Sequence, residues 1–132
     1  MTIEKIISGG QSGADQAALE VAQDFGIQTG GHCPKGFRNE YSSDGSNKRR
    51  MQDWGLVETP SDKYPPRTEL NVKNSDGTVW FGATSSPGYK CTIKDTTGTT
   101  LVYLVESENS FGVLSWPFVL CCVAAFPADN YL

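Results

Sequence analysis

Residues 8–15 read Ser-Gly-Gly-Gln-Ser-Gly-Ala-Asp, a glycine-rich segment between an apolar run and a helical pattern. Glycine in such a turn lets the backbone approach a ligand, and the first N–H groups of the following helix attract an anion. The spacing lacks the Gly-Lys-Ser/Thr ending of a P-loop and the full dinucleotide pattern. A tight strand-to-helix turn also needs glycine for structural reasons alone, so both interpretations are open. On the anion-binding interpretation the contributing residues are Gly9, Gly10, Gln11, Ser12, Gly13 and Asp15.

A second glycine-containing segment, residues 30–38, carries two basic side chains, Lys35 and Arg38. It follows the end of a predicted strand, and ligands of open parallel sheets bind beyond the carboxyl ends of the strands. Lys35 would then add positive charge to the crevice formed by the first loop. Two solvated charges on a surface loop explain the same pattern equally well.

Arg67 and Asn71 are four residues apart, so they share one face if residues 67–74 are helical. An arginine beside a carboxamide can clasp the oxygens of a phosphate or another oxyanion. The alternative is an ordinary solvated helix face, which would show the same spacing.

Residues 82–88 form another loop of small and hydroxyl-bearing residues, and a possible helix begins near Thr92. By the same logic as the first loop, this one adds Ser86, Gly88 and Thr92 to the candidate ligand-binding residues. The run Lys48-Arg49-Arg50 could contact the same ligand or be solvated, and solvation is the favoured interpretation.

The sequence indicates no metal site and identifies no catalytic residues. His32 is the one histidine, there is no Cys-x-x-Cys pair, and any catalytic triad would have to use His32. Three carboxylates lie near the proposed loops, namely Asp15, Glu58 and Asp76. The four cysteines include the adjacent pair Cys121 and Cys122 in an apolar run, which favours buried free thiols in a reducing cytoplasm over disulfides.

The elements around the first loop form the start of a βαβ unit. A strand is predicted at Ile3 to Ile7, and a helix follows from Ser12, with Ser12 and Asp15 resembling a capping box. The inward face of that helix is predicted from its apolar residues, and Gly26 ends it. A second strand follows around Ile27 to Gly30. The predicted inward residues of the helix are Ala14, Ala18, Val21, Ala22 and Phe25.

The remainder of the chain predicts an α/β domain with a mainly parallel sheet of about five strands flanked by helices. Residues 31–55 show no periodicity and are interpreted as a long excursion, and residues 67–74 as two helical turns with Leu70 directed inward. Further strands are predicted at 78–81, 101–105 and 118–125, with a short helix at 92–97. The last strand is apolar on both faces, as expected of a central parallel strand.

Length and charge narrow the class of protein. A chain of 132 residues predicts one domain over 1–132, and a net charge of −4 argues against duplex nucleic acid as a partner. All 11 basic residues lie between Lys5 and Lys94, so an anionic small molecule would bind in that part. The sequence shows no signal-peptide pattern and no apolar run long enough to span a membrane, which predicts a cytoplasmic protein without a membrane partner.

Several of these segments together resemble the putative molybdenum carrier family, whose members open with a similar Ser-Gly-Gly-Gln-(Thr/Ser)-Gly-Ala-Asp segment. The match covers roughly residues 5–92. It comprises residues 5–19, 30–36, 56–60 followed by Tyr64, Arg67-Thr68 and Asn71-Val72, 75–78, and more loosely Ser86-Pro87-Gly88 with Thr92. The resemblance implies a Rossmann-like fold, a cytoplasmic location and a phosphorylated or oxyanionic ligand. Molybdenum cofactor is the ligand for which the family is named.

The family is similar to the phosphoribohydrolases that carry the lysine-decarboxylase name, and these release base from nucleoside monophosphates. Their Pro-Gly-Gly-x-Gly-Thr-x-x-Glu motif is missing here, and the family's polar Asn-Val-Ala-Gly segment is replaced by residues 121–125. A binding protein that needs no catalytic base is therefore the first hypothesis. The alternatives are a nucleoside-monophosphate hydrolase, using Asp15 or Glu58, and a module that senses or sequesters a nucleotide-derived signal. Relatives of this fold assemble through helices flanking the sheet, and the apolar residues Phe111, Trp116 and Phe118 could add to such an interface, which predicts a homo-oligomer. Packing in the core explains the same three residues more simply.

Overall fold

The computed structural model describes residues 3–39, 44–81, 85 and 87–95, together with the backbone of two later strands at 101–105 and 120–125. It is an α/β structure in which strands and helices alternate up to the fourth helix. The strands are β1 (Lys5–Ser8), β2 (Gln28–Cys33), β3 (Leu56–Glu58), β4 (Gly77–Phe81), β5 (Leu101–Val105) and β6 (Leu120–Ala125). The helices are α1 (Ala14–Asp24), α2 (Lys48–Asp53), α3 (Tyr64–Lys73) and α4 (Pro87–Asp95), with a short 3₁₀ helix at Lys35–Phe37.

The six strands form one sheet in the order β3-β2-β1-β6-β4-β5. Pairs β1–β2, β2–β3 and β4–β5 are parallel, which confirms the predicted mainly parallel α/β class. The predicted last strand is central but antiparallel to both of its neighbours, so its predicted direction was wrong. An apolar run on both faces indicates a central position, whereas strand direction depends on the edge from which the chain enters.

Helix α1 ends as predicted, because Gly26 adopts a positive φ of 69° and the N–H of Ile27 donates to the carbonyl of Ala22 at 2.8 Å. This is the Schellman arrangement that favours glycine after a helix. The predicted inward face is wrong in part, since Phe25 is 78% exposed and Val21 is also exposed. Asp15, Leu19 and Ala22 are buried instead. A buried carboxylate sets the rotation of this helix, and hydropathy cannot anticipate it.

The start of α1 also differs from the predicted capping box. Gly13 is the N-cap, with φ 87° and ψ −131°, and no side chain caps it. The Asp15 carboxylate instead accepts the backbone N–H of Gln11 at 3.2 Å. That bond ties the glycine loop to the first turn of the helix.

Residues 31–55 are not the structureless excursion that was predicted. Strand β2 extends to Cys33, the 3₁₀ helix follows, and α2 lies near the end of the segment, directly before β3. These short elements are stabilised by a buried apolar cluster of Leu19, Cys33, Phe37, Met51, Trp54 and Leu56. Elements of three to six residues are too short to show a periodic pattern.

Both later helices begin before their predicted starts, each with proline in the first turn. The first N–H groups of a helix have no intrahelical partner, so proline there costs no hydrogen bond. The predicted inward contact of Leu70 is wrong, since it is 37% exposed while Val72 is 1% exposed. Val72 packs with Ile7, Trp80 and Tyr89 in a second apolar cluster.

The carboxyl ends of β1, β2, β3 and β4 lie at one edge of the sheet, here called the carboxyl edge. Helices α1, α3 and α4 begin in the connections that leave this edge. Loops and helix N-termini that carry most candidate residues are therefore gathered there. Within the residues that the structure describes, no helix is long and apolar enough to cross a membrane.

Candidate anion-binding site

The centre of the candidate site is the guanidinium of Arg67, in the first turns of α3. Arg67 is 1% exposed, although arginine is seldom fully buried without partners. Its Nη1 lies 3.6 Å from Oδ2 of Asp15, and the guanidinium carbon lies 5.5 Å from the centre of the Tyr64 ring. Arg67 therefore joins α3 to the start of α1 beside the carboxyl end of β1.

Gly9 is the residue that makes room for this arginine. A Cβ atom at position 9 would lie 1.8 Å from Nη1 of Arg67 and 2.6 Å from its guanidinium carbon. The guanidinium thus lies against the bare backbone of the loop. This close approach requires glycine at position 9, independently of any requirement of the turn.

The hydrogen-bonding capacity of Arg67 is not used up by the protein. Its Nε and Nη1 atoms are buried and have no hydrogen-bond partner among the described residues. A buried donor left unsatisfied costs about 1–3 kcal/mol, and more for a charged group. Arginine donors of this kind match the oxygens of a phosphate or carboxylate. These buried donors are chemically suited to an oxyanion.

The glycine loop beside Arg67 is held in place by side chains. Gln11 Nε2 donates to the carbonyl of Arg38 at 3.3 Å, and Gln16 Nε2 donates to the carbonyl of Gly10 at 3.1 Å. Gly10 has φ 71°, and a Cβ there would lie 2.4 Å from the Met51 side chain. The loop therefore has a fixed shape, which lowers the entropic cost of binding a ligand.

Asn71 lies one turn after Arg67 and is fully buried. Its Oδ1 accepts the backbone N–H of His32 at 2.7 Å, and its Nδ2 donates to the carbonyl of His32 at 3.0 Å. Strand β1 pairs with β2 only as far as Gly30, so the carboxamide forms hydrogen bonds with backbone groups of β2 that lie just beyond that pairing. Asn71 thus positions α3, and Arg67 with it, against the end of β2.

Lys35 belongs to the neighbouring loop at the same edge. Its backbone N–H donates to the carbonyl of Ser61 at 2.8 Å, and the next N–H, of Gly36, donates to the Glu58 carboxylate at 2.6 Å. The Lys35 residue is exposed, so its ammonium is available to solvent and to a charged ligand. Arg38 lies 3.9 Å from Asp62 across exposed side chains, a contact of little energetic weight.

The third predicted loop is described only in part. Ser86 lies outside the described residues, and Gly88 is half-buried in the first turn of α4. Thr92 is fully buried on α4, one turn beyond Tyr89, whose ring meets Trp80 edge-on at 5.6 Å. The Oγ1 atom of Thr92 has no hydrogen-bond partner among the described residues.

Among the described residues no group of three or more His, Cys, Asp or Glu side chains could hold a metal ion. Cys33 and Cys91 form no disulfide among the described residues. Burial, followed by the negative charge of Glu58, raises the pKa of Cys33 to about 12. The thiol is protonated at neutral pH, so it supplies neither a thiolate ligand nor a nucleophile.

The structure brings the first-loop residues, Asp15 and Arg67 together, with Asn71 behind them and Lys35 on an adjacent loop. Sequence reasoning missed Tyr64, whose ring packs beside the guanidinium. Its position three residues before Arg67 is a helical spacing and could have indicated it. Sequence reasoning also missed the ion pair between Arg67 and Asp15, since residues 52 positions apart carry no local signal.

Comparison with known proteins agrees with the fold and with the resemblance in sequence. The crystal structure of a putative molybdenum carrier protein from Syntrophus aciditrophicus SB is 36% identical, with a TM-score of 0.67. The match covers 79% of this chain but 63% of the other protein, so the chain spans less than two thirds of that relative. No curated protein gives a significant match. Residues 6–110 match the circularly permutated YpsA SLOG family, and the chain therefore belongs to that family.

Proposed function

We propose that this protein binds a phosphorylated or oxyanionic small molecule at the carboxyl edge of its sheet. The supporting observation is the buried guanidinium of Arg67, which lies against the backbone of Gly9 with two donor atoms unused among the described residues. The positive end of α1 and the Lys35 ammonium add favourable potential for an anion. We include Gly10, Gln11, Ser12, Gly13 and Asp15 in the ligand loop, Asn71 as the support of Arg67, and Ser86, Gly88 and Thr92 as a second contact region.

Molybdenum cofactor is the specific ligand that we propose. The structural relative carries the name of a molybdenum carrier, and the site residues suit the phosphate end of such a molecule. They do not suit direct coordination of the metal, because the Cys33 thiol is protonated and the described residues offer no cluster of metal ligands. The cofactor would thus be held by its phosphate, as cargo.

The decisive test is the affinity of Arg67 variants for inorganic phosphate and for molybdenum cofactor, measured by calorimetry. Arg67→Gln removes the charge and most of the donors, so affinity should fall at least about tenfold, or 1.4 kcal/mol. Arg49→Gln removes the same charge from the exposed face of α2 and serves as the matched control. Equal affinities for wild type and Arg67→Gln would contradict the proposal.

Turnover distinguishes a carrier from an enzyme. Asp15 lies beside the proposed anion site, where a carboxylate could stabilise an oxocarbenium-like centre, and this geometry favours a nucleoside-monophosphate hydrolase as the second candidate. Incubation with nucleoside monophosphates and chromatography of the products would reveal released base. Tight binding of a nucleotide that is recovered unchanged would favour the sensing or sequestering alternative.

We also propose a cytoplasmic homo-oligomer. The absence of a disulfide at Cys33 and Cys91, within the described residues, suits a reducing compartment. The exposed Phe25 directly after α1 suits contact between flanking helices. The predicted contributions of Phe111, Trp116 and Phe118 lie outside the described residues. Light scattering after gel filtration of wild type and Phe25→Ser tests the assembly, and a monomeric wild type would contradict it.

A further inference from the structure

The ion pair at the centre of the site places a negative charge where an anion would bind. The side chains of Arg67 and Asp15 are 2% and 0% exposed, so little water lies between them to screen their charges. A carboxylate that merely neutralised a buried arginine would need no ligand. Here Nε and Nη1 of Arg67 still lack hydrogen-bond partners among the described residues, so capacity for a second anion persists beside Asp15.

We propose that Asp15 selects among oxyanions by requiring one that brings its own hydrogen-bond donor. Suitable ligands are hydrogen phosphate, or a phosphate ester with a protonated oxygen or an adjacent hydroxyl. Sulfate and molybdate carry no proton at neutral pH and are excluded. This inference rests on the proposed anion site and names the class of ligand that the site takes.

An anion bound to Arg67 would lie close enough to Asp15 to interact with its charge. An oxygen bound to Nη1 at the usual length of about 2.8 Å would lie within about 6.5 Å of Oδ2, because Nη1 and Oδ2 are 3.6 Å apart. At that separation in a buried site, two negative charges repel strongly enough to change affinity more than tenfold. An ionised carboxylate accepts hydrogen bonds and donates none. A ligand whose hydroxyl donates a hydrogen bond to the Asp15 carboxylate replaces this repulsion with a charge-assisted hydrogen bond.

The excluded anions make the inference specific. Hydrogen phosphate and sulfate have the same tetrahedral shape and can carry the same charge, and they differ in the proton. A site built from arginine and backbone donors alone would bind both. Discrimination between them therefore reports on an acceptor in the site, such as the Asp15 carboxylate.

The experiment compares phosphate, sulfate and molybdate by calorimetry at pH 7 and constant ionic strength. Wild type should bind phosphate at least about tenfold more tightly than sulfate or molybdate. Asp15→Asn replaces the acceptor by a neutral amide that can donate, so the preference for phosphate should shrink to about threefold or less. Asp24→Asn removes one exposed carboxylate from the far end of the same helix and should leave the preference unchanged.

Each outcome decides between the two ideas. If wild type binds sulfate or molybdate as tightly as phosphate, the proposed role of Asp15 is wrong, but the proposed anion site is still supported. An unchanged preference in a folded Asp15→Asn variant overturns that role as well. If that variant does not fold, the comparison of the three anions on wild type still decides. Absence of binding to all three anions, with Arg67→Gln indistinguishable from wild type, removes the anion site itself.

Discussion

Replacing Asn71 tests the internal support of the site. The carboxamide of Asn71 is fully buried and holds both backbone groups of His32, at 2.7 Å and 3.0 Å. Asn71→Ala removes both bonds and leaves the partly buried N–H and C=O of His32 without these partners, just beyond the last paired residue of β1 and β2.

The expected cost follows from those two groups. Each buried backbone group that loses its partner costs about 1–3 kcal/mol. His32 is only partly buried, so water can reach part of the gap, and we expect a total loss of about 2–4 kcal/mol. Asn71→Asp should be at least as harmful, because one carboxylate oxygen would then face the carbonyl oxygen of His32.

Urea unfolding followed by tryptophan fluorescence measures this loss. For a slope of about 2 kcal/mol per molar urea, the midpoint should fall by roughly 1–2 M. Asn74→Ala is the matched control, since Asn74 is an exposed residue just after α3, and its effect should stay within about 0.5 kcal/mol. If Asn71→Ala were no more destabilising than Asn74→Ala, the carboxamide would not support the sheet edge as argued here.

Three further variants probe neighbouring features. Gly9→Ala should weaken phosphate binding at least about tenfold in calorimetry, because its Cβ would lie 1.8 Å from Nη1 of Arg67 and displace the guanidinium. Val72→Ala should lower the free energy of unfolding by about 2–3 kcal/mol and Leu70→Ala by less than about 1 kcal/mol in urea titrations, because only Val72 is in the core. The Cys33 pKa is raised from 9.0 to about 12, so wild-type stability should fall as pH rises from 9 to 12, by up to about 1.4 kcal/mol per unit. A Cys33→Ala variant should lose this part of the pH dependence. If its free energy of unfolding fell with pH as steeply as that of wild type, another group would be responsible.

Much of the fold could be predicted because its signals are local. A β-branched run, a glycine turn and an amphipathic segment ending at Gly26 identify β1, its loop and α1. The direction of β6 could not be predicted, since a strand that is apolar on both faces has the same pattern in either direction. Strand β3 was missed because three residues, of which only Leu56 is buried, show no alternation.

The candidate site was predicted in its residues but not in its arrangement. Glycines and an arginine indicated a candidate anion site, yet sequence spacing gave Arg67 and Asn71 the same role. The structure separates them, because Asn71 is engaged with the His32 backbone and Arg67 has unused donors. The error over Leu70 has the same origin. Hydropathy assigns apolar residues to the buried face, whereas α3 buries Arg67, Thr68, Asn71 and Val72.

The buried polar face of α3 links stability to binding in a way that variants can separate. The hydrogen bonds of Asn71 are made to the protein's own backbone, at His32. Its replacement should therefore lower the free energy of unfolding whether or not an anion is present. Asp15 pairs with the charge of Arg67 but leaves two of its donor atoms without a hydrogen-bond partner among the described residues. An anion that accepts hydrogen bonds from these donors should stabilise the folded state by mass action. Phosphate should therefore raise the stability of Asn71→Ala but not that of Arg67→Gln. On this proposal Asn71 positions helix α3, and an anion accepts the hydrogen bonds that Arg67 has left to donate.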